Sequence, residues 1–377
     1  MNRLRTLTEQ GQAIWLDYIR RDLLENGRLA RLISEDGLTG VTSNPAIFEK
    51  AIGDSDLYDG DIRAALEEDP EISTQQLYET LAIRDIQMAA DLLAPVYEAT
   101  DGADGFVSLE VSPHLAHDTE GTLVEATHLW RTVDRPNLMI KVPATREGIP
   151  AVESLLAEGV HVNITLMFSL AHYEAVAQAY LRGVERASKP QRSASVASFF
   201  VSRVDTLIDR QLAESAAAQA HELAGRIAIA NSKMAYARYR EIFHGSAFAR
   251  LEAEGARPQR VLWASTSTKN PDYSDVLYVE ELIGAETVNT IPPKTLDDFR
   301  DRGEVAPTLT AGLDRAQADL SALAAIGIDL DAATDRLQRE GLEKFGVPFD
   351  RLLAALDRKR VDLAAAPLGA AAAGRAK

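Results

Sequence analysis

The chain has 377 residues, no cysteine, 46% hydrophobic and only 6% aromatic residues, and a formal net charge of −17 at pH 7. That charge argues against a nucleic-acid or acidic-membrane partner, since both need a basic face. Without cysteine there is no disulfide framework, no thiolate nucleophile and no Cys-ligated zinc site.

In chain order, short β-rich runs alternate with long helical patterns, the sequence form of a parallel sheet covered by helices. Eight strands are predicted at Ala13–Asp17, Leu38–Ser43, Gly105–Val111, Leu138–Pro143, His161–Met167, Ser195–Val201, Arg260–Thr266 and Thr287–Ile291. Between them apolar residues recur at spacings of three and four, as in Ala82, Ile86, Ala89 and Leu93, or Leu223, Ile227 and Ala230. Eight such units predict a single (β/α)8 TIM barrel over residues 1–363, a fold that runs past about 250 residues as one domain. A doubly wound open sheet is the alternative, but no Gly-rich phosphate loop follows the first strand. Ala51–Ser73 reads as a long acidic connection, partly helical. Additional C-terminal helices beyond Asp297, one with Phe349, Leu352, Leu353 and Leu356 on one face, read as packing elements or lids. The Ala-rich segment from Ala364 to Lys377 reads as a flexible tail. The N-terminus lacks the apolar run of a signal peptide and no stretch reaches transmembrane length, so a soluble cytoplasmic protein is the default expectation.

The polar residues fall where chemistry is built in a barrel. Strands buried on both faces should be aliphatic, yet most carry a polar group near the carboxyl-terminal end, where barrel active sites lie. These are Asp17, Asn44, Glu110, Lys141, Asn163 with Thr165, Ser198, Ser265 and Asn289. Period-two alternation sets Asn163 and Thr165 on one face, opposite Val162, Ile164 and Leu166. Lys141 sits in the apolar run Met139-Ile140-Lys141-Val142-Pro143. A buried amine favours its neutral form, the form that attacks a ketone to make an imine. A strand-tip lysine can also simply reach solvent along its aliphatic stem. Imine chemistry further needs a general acid/base, for which Asp17 and Glu110 are the candidates. Either carboxylate alone could instead be an ion-pair partner of Lys141. Ser198 and Arg203 suit a phosphate clamp, supplying positive charge locally against the acidic whole. His114 and His117 form an H-x-x-H pair preceded by Pro113 and followed by no acidic ligand set, so no metal is expected. The Ser267–Asn270 loop (Ser-Thr-Lys-Asn) is either an anion site or a plain polar turn.

Four ordered segments resemble the transaldolase family. Thr39-Gly40-Val41-Thr42-Ser43-Asn44-Pro45 looks like its T-x-N-P signature, and Leu138–Thr145 is similar to its active-site lysine stretch. Val162–Ser169 looks like the N-x-T-L-x-F-S strand, and Ser198–Arg203 resembles the S-x-F-V-x-R phosphate segment. The resemblance implies a cofactor-free enzyme of the pentose phosphate pathway acting on sugar-phosphate substrates such as sedoheptulose 7-phosphate or fructose 6-phosphate. It implies that Lys141 forms the imine and that Asp17 takes the C4 hydroxyl proton. Glu110 and Thr165 would hold the water used in proton transfer. Asn44 and Asn163 would bind hydroxyls and the imine region, with Ser198 and Arg203 on the phosphate. Many members carry a second arginine after the seventh strand. Here Ala264-Ser265-Thr266-Ser267-Thr268-Lys269 stands there, and Lys269 is the candidate replacement. Length and that loop suggest one of the family's longer bacterial branches. An aldolase on the same scaffold and a non-catalytic sugar-phosphate-binding barrel are the alternatives. The oligomeric state stays open between monomer and homodimer.

Overall fold

The structure, a computed structural model, describes residues 2–190 and 193–365. Its eight strands are β1 (Gln12–Asp17), β2 (Gly40–Thr42), β3 (Phe106–Glu110), β4 (Leu138–Pro143), β5 (Val162–Met167), β6 (Ser195–Phe200), β7 (Arg260–Ala264) and β8 (Thr287–Ile291). All are parallel and pair in chain order, and β8 closes on β1. The expected barrel is therefore the observed one. β2 is shorter than its sequence pattern, because Leu38, Thr39 and Ser43 lie outside the ladder.

Closure needs room as well as hydrogen bonds. The Trp15 indole of β1 lies over Gly40 of β2, and a Cβ there would come within 2.5 Å of the ring. The indole Nε1 donates to Asp104 at 2.9 Å, so its polar end is satisfied inside the fold. Helices cover the barrel, and short polar side chains set where several of them begin. Ser73 and Gln76 form a reciprocal capping box on helix Thr74–Ala99. Ser169 caps Leu170–Arg186, and Asn44 caps the single turn Pro45–Phe48.

The acidic connection after β2 is mostly helical: a π-turn at Glu49–Gly53, a 3-10 turn at Asp56–Tyr58 and helix Asp59–Glu68. A buried network ties it to the barrel. Arg21, just past β1, donates to Asp85 at 2.6 Å and pairs with Asp61, while the Tyr58 hydroxyl donates to Asp85 at 2.5 Å.

Three helices follow β8, at Pro293–Arg302, Leu313–Ala325 and Leu330–Ala365. The last spans about 54 Å at 1.5 Å per residue, enough to cross a barrel mouth. Its buried stripe, Leu337, Gly341, Phe345, Phe349, Leu352 and Leu356, recurs every three or four residues. That stripe packs against the acidic connection, helix Thr74–Ala99 and β5. This C-terminal helix therefore packs on the acidic insertion and reaches β5. Ala364 and Ala365 end it, and the rest of the Ala-rich tail, 366–377, lies outside the described residues. Among the described residues, no helix is long and apolar enough to cross a membrane.

Candidate active site

Strand register assembles the site. Asp17 stands beside Thr42, Glu110 beside Lys141, and Lys141 beside Asn163. Since side chains alternate, matched positions on adjacent strands point the same way. Five successive strands therefore deliver their polar groups to one end of the barrel.

Lys141 is buried, and its Nζ donates to the Ser43 carbonyl oxygen at 3.1 Å. Glu110 Oε2 lies 3.4 Å from that amine, and the Phe345 ring of the C-terminal helix covers it at 5.4 Å. The ion pair considered from the sequence is thus present at Glu110. Burial nevertheless dominates this carboxyl and pushes it up to about 7, with Lys141 opposing. A group titrating there can both give and take a proton near neutral pH.

Asp17 accepts a hydrogen bond from Thr42 at 2.8 Å, and Thr42 shares a 2.6 Å contact with Thr290. Burial of its carboxyl raises Asp17 above the usual carboxylate range, against the opposing charges of Lys141, Arg203 and Lys269. Asp17 is close enough to the buried amine and to both outer cations to feel their charges. The two carboxylates are therefore not equivalent. Glu110 is paired with the amine, whereas Asp17 is steadied by a hydroxyl chain.

Asn163 of β5 links β3 and β6 across the barrel interior. Its Nδ2 donates to Ser108 Oγ at 3.0 Å, and its Oδ1 accepts from Ser198 Oγ at 2.7 Å. Ser198 is thus engaged with Asn163 inside the barrel. Thr165 is buried, and its Oγ1 has no hydrogen-bond partner among the described residues. The side-chain oxygen of Asn44 accepts from the Ile47 N–H, leaving the Nδ2 end of a half-buried residue for other partners.

Two cations, Arg203 and Lys269, lie near Asp17 in this acidic protein. Arg203 packs over the Phe200 ring at 5.1 Å, and its buried NH1 has no hydrogen-bond partner among the described residues. Burial lowers Arg203, with Asp17 and Glu340 opposing. Burial also lowers Lys269, and the neighbouring Arg203 charge adds to that. Lys269 Nζ contacts Ser267 Oγ at 2.6 Å. Neither cation forms an ion pair within the described residues, an arrangement that costs energy unless an anion joins it. Lys269 thus stands near Arg203, where the missing second arginine was sought.

The two histidines do not converge. His114 Nε2 contacts Asp350 at 2.7 Å, and His117 Nδ1 contacts Glu147 at 3.2 Å. Among the described residues, no group of three or more His, Cys, Asp or Glu side chains could hold a metal ion.

Several contributors escaped the sequence reading. Thr42 and Ser43 lie inside the motif that flagged Asn44, but their roles depend on a hydroxyl and a carbonyl that motif spacing does not aim. Phe345 and Gln338 come from the C-terminal helix and carried no local signal. Alternation also fails beyond Thr165: Leu166 takes a left-handed φ of 61°, and the β5–β6 register shifts between Ile164 and Met167.

A parallel eight-stranded barrel that gathers a buried lysine and two carboxylates at one mouth, with two cations that have no ion-pair partner among the described residues, has the make-up of a barrel enzyme. The family model for transaldolase/fructose-6-phosphate aldolase matches residues 14–356. A protein named transaldolase from Thiobacillus denitrificans is 49% identical over 94% of this chain and 99% of its own length. Transaldolases from Thermobifida fusca and Mycolicibacterium smegmatis are 48% and 46% identical, over 96% and 93% of the chain and 98% and 95% of their own lengths. The chain belongs to the transaldolase/fructose-6-phosphate aldolase family.

Proposed function

We propose that this chain transfers a dihydroxyacetone unit from a ketose phosphate to an aldose phosphate through an imine on Lys141. It is a transaldolase, a transferase of ketol groups. The observation that carries the mechanism is the buried Lys141 amine, held at 3.1 Å from the Ser43 carbonyl and 3.4 Å from a carboxyl that titrates near neutral pH.

In this reading the Lys141 amine adds to the C2 carbonyl of the donor to give a carbinolamine. Glu110 supplies the proton with which the C2 oxygen leaves as water, and the imine forms. Asp17 then takes the C4 hydroxyl proton. The C3–C4 bond breaks, C4 becomes the aldehyde carbon of the departing aldose phosphate, and the bond's electrons move into the imine as an enamine. Addition of the enamine to an acceptor aldehyde, with Asp17 returning the proton to the new hydroxyl, runs these steps backwards. Hydrolysis then frees Lys141. Thr165, with its free hydroxyl, holds the water shared with Glu110. Asn163 and Asn44 engage the hydroxyls of the three-carbon unit, and Asn163 is oriented by Ser108 and Ser198. Arg203 and Lys269 take the phosphate, Arg203 as a fork and Lys269 as a point charge. Ser198 acts at the three-carbon end, through its hydrogen bond to Asn163, and not on the phosphate.

The fate of the enamine separates transfer from simple cleavage. With fructose 6-phosphate and erythrose 4-phosphate, sedoheptulose 7-phosphate should appear at the rate glyceraldehyde 3-phosphate is released. Without acceptor, turnover should stop after one equivalent. Sustained release of free dihydroxyacetone without acceptor would identify an aldolase instead.

A further inference from the structure

Gln338 lies on the C-terminal helix, far in sequence from every residue of the mechanism, yet it reaches the ends of two catalytic strands. Its Nε2 donates to the Ala144 carbonyl at 2.9 Å and to the Leu166 carbonyl at 3.1 Å. Ala144 follows directly on β4, the strand of Lys141, and Leu166 follows Thr165 on β5. The Ala144 N–H in turn donates to the Thr165 carbonyl at 2.8 Å. Thr165 thus lies against Ala144 and Leu166, whose carbonyls are both secured by one amide from outside the barrel.

That point of the strand needs holding. Leu166 is a non-glycine residue in the left-handed region, at the place where the β5–β6 register shifts. Such a conformation persists only where its surroundings over-determine it. Gly341, one turn along from Gln338, backs onto the Leu166 side chain, and a Cβ there would sit 2.9 Å from Leu166 Cδ2. Phe345, a turn further, covers the Lys141 amine. One stripe of the C-terminal helix therefore touches the bulge and the nucleophile together.

We infer that Gln338 is a positioning residue for the reaction: by tying the Ala144 and Leu166 carbonyls it locks the β5 bulge that aims the Thr165 hydroxyl. The inference rests on the reading of Thr165 as the group that holds water at the imine. Displacement of such a hydroxyl by a fraction of an ångström slows the water steps without changing how the sugar phosphate binds.

The test is a double-mutant cycle. Gln338→Met keeps the length of the side chain and removes both donations. It should lower kcat about tenfold to a hundredfold. KM for fructose 6-phosphate, the melting temperature and borohydride capture on Lys141 should stay near the parent values. Thr165→Val should show the same pattern, and the double variant should be little slower than either single one, because coupled residues are not additive. Gly341→Ala, which presses on Leu166 without touching the amide, should shift kcat in the same direction.

Four outcomes overturn the idea or its basis. A Gln338→Met enzyme with parental kcat sinks the inference, provided Thr165→Val is slow. Losses that multiply in the double variant sink it too. Loss of Lys141 capture and melting temperature together with kcat would make Gln338 a structural brace. Parental turnover by Thr165→Val would instead remove the role assigned to Thr165.

Discussion

At the scale of single residues, the phosphate end shows most plainly how charge is arranged. Arg203 and Lys269 are drawn together in a protein of net charge −17, and neither finds a carboxylate to pair with among the described residues. A charge-assisted hydrogen bond to an anion contributes roughly 1.5–3 kcal/mol. Arg203→Ala should therefore raise KM for phosphorylated acceptors about tenfold to a hundredfold, while leaving the rate with unphosphorylated glyceraldehyde nearly unchanged. Lys269→Ala should have a smaller effect of the same sign, because a lysine contacts phosphate as a point charge. Steady-state kinetics with paired phosphorylated and unphosphorylated acceptors measures both, and equal losses for the two acceptors would remove these residues from the phosphate. Lys141, Asp17, Glu110 and Asn163 were legible in the sequence because a polar residue in an aliphatic strand has to be explained. The division of labour between the carboxylates came from the family resemblance, and its geometric basis was not legible. It depends on Thr42 and Thr290 at one carboxyl and on a 3.4 Å approach to the amine at the other.

At the scale of elements, the strands followed their sequence pattern closely, since a buried parallel strand leaves an apolar run bounded by turns. The acidic connection was harder to read, because its structure depends on partners distant in the chain. Arg21, Tyr58, Asp61 and Asp85 come from three segments, and no local pattern links them. Both members of the Arg21–Asp85 pair are buried. Removing Asp85 leaves Arg21 with Asp61 as its remaining carboxylate and the buried Tyr58 hydroxyl without its acceptor, at a cost of roughly 1–3 kcal/mol. Asp85→Ala should lose that much stability in denaturant unfolding and loosen the segment Ala51–Ser73 to proteolysis first. A change below about 1 kcal/mol would mean the network is not what fixes the insertion. The C-terminal helix showed its apolar face in the sequence, with Phe349, Leu352 and Leu356 buried and Leu353 half-buried at its edge. Its contact with the active site was hidden, because Gln338 and Gly341 look ordinary until the helix is laid across the mouth of the barrel.

At the scale of the whole molecule, buried acids tie stability to pH. Burial pushes Glu110 and Asp205 up to about 7. Between the ordinary carboxylate range and pH 7 the folded state then holds protons that the unfolded chain has lost, so stability falls as pH rises through that window. Buried His161 is held down to about 4, so stability also falls as pH drops below about 6.5, where the unfolded chain binds the proton first. Two raised acids outweigh one lowered histidine, so these groups together should lower the melting temperature as pH rises from about 4.5 to 7. The melting temperature of Glu110→Gln, relative to the parent, should rise from pH 5 to pH 8, and a pH-independent difference would contradict the assignment of the raised carboxyl. Net charge and lack of cysteine limited the classes of function from the outset, but they could not find the site. Strand order and register did that, by bringing Asp17, Glu110, Lys141 and Asn163 to one mouth. The most direct test of the account is borohydride reduction in the presence of fructose 6-phosphate, followed by peptide mass mapping. A three-carbon or hexose-derived adduct on Lys141, absent from Lys141→Ala together with all transferase activity, is the predicted result. Full activity with no adduct on Lys141, or an adduct on another lysine, would contradict it.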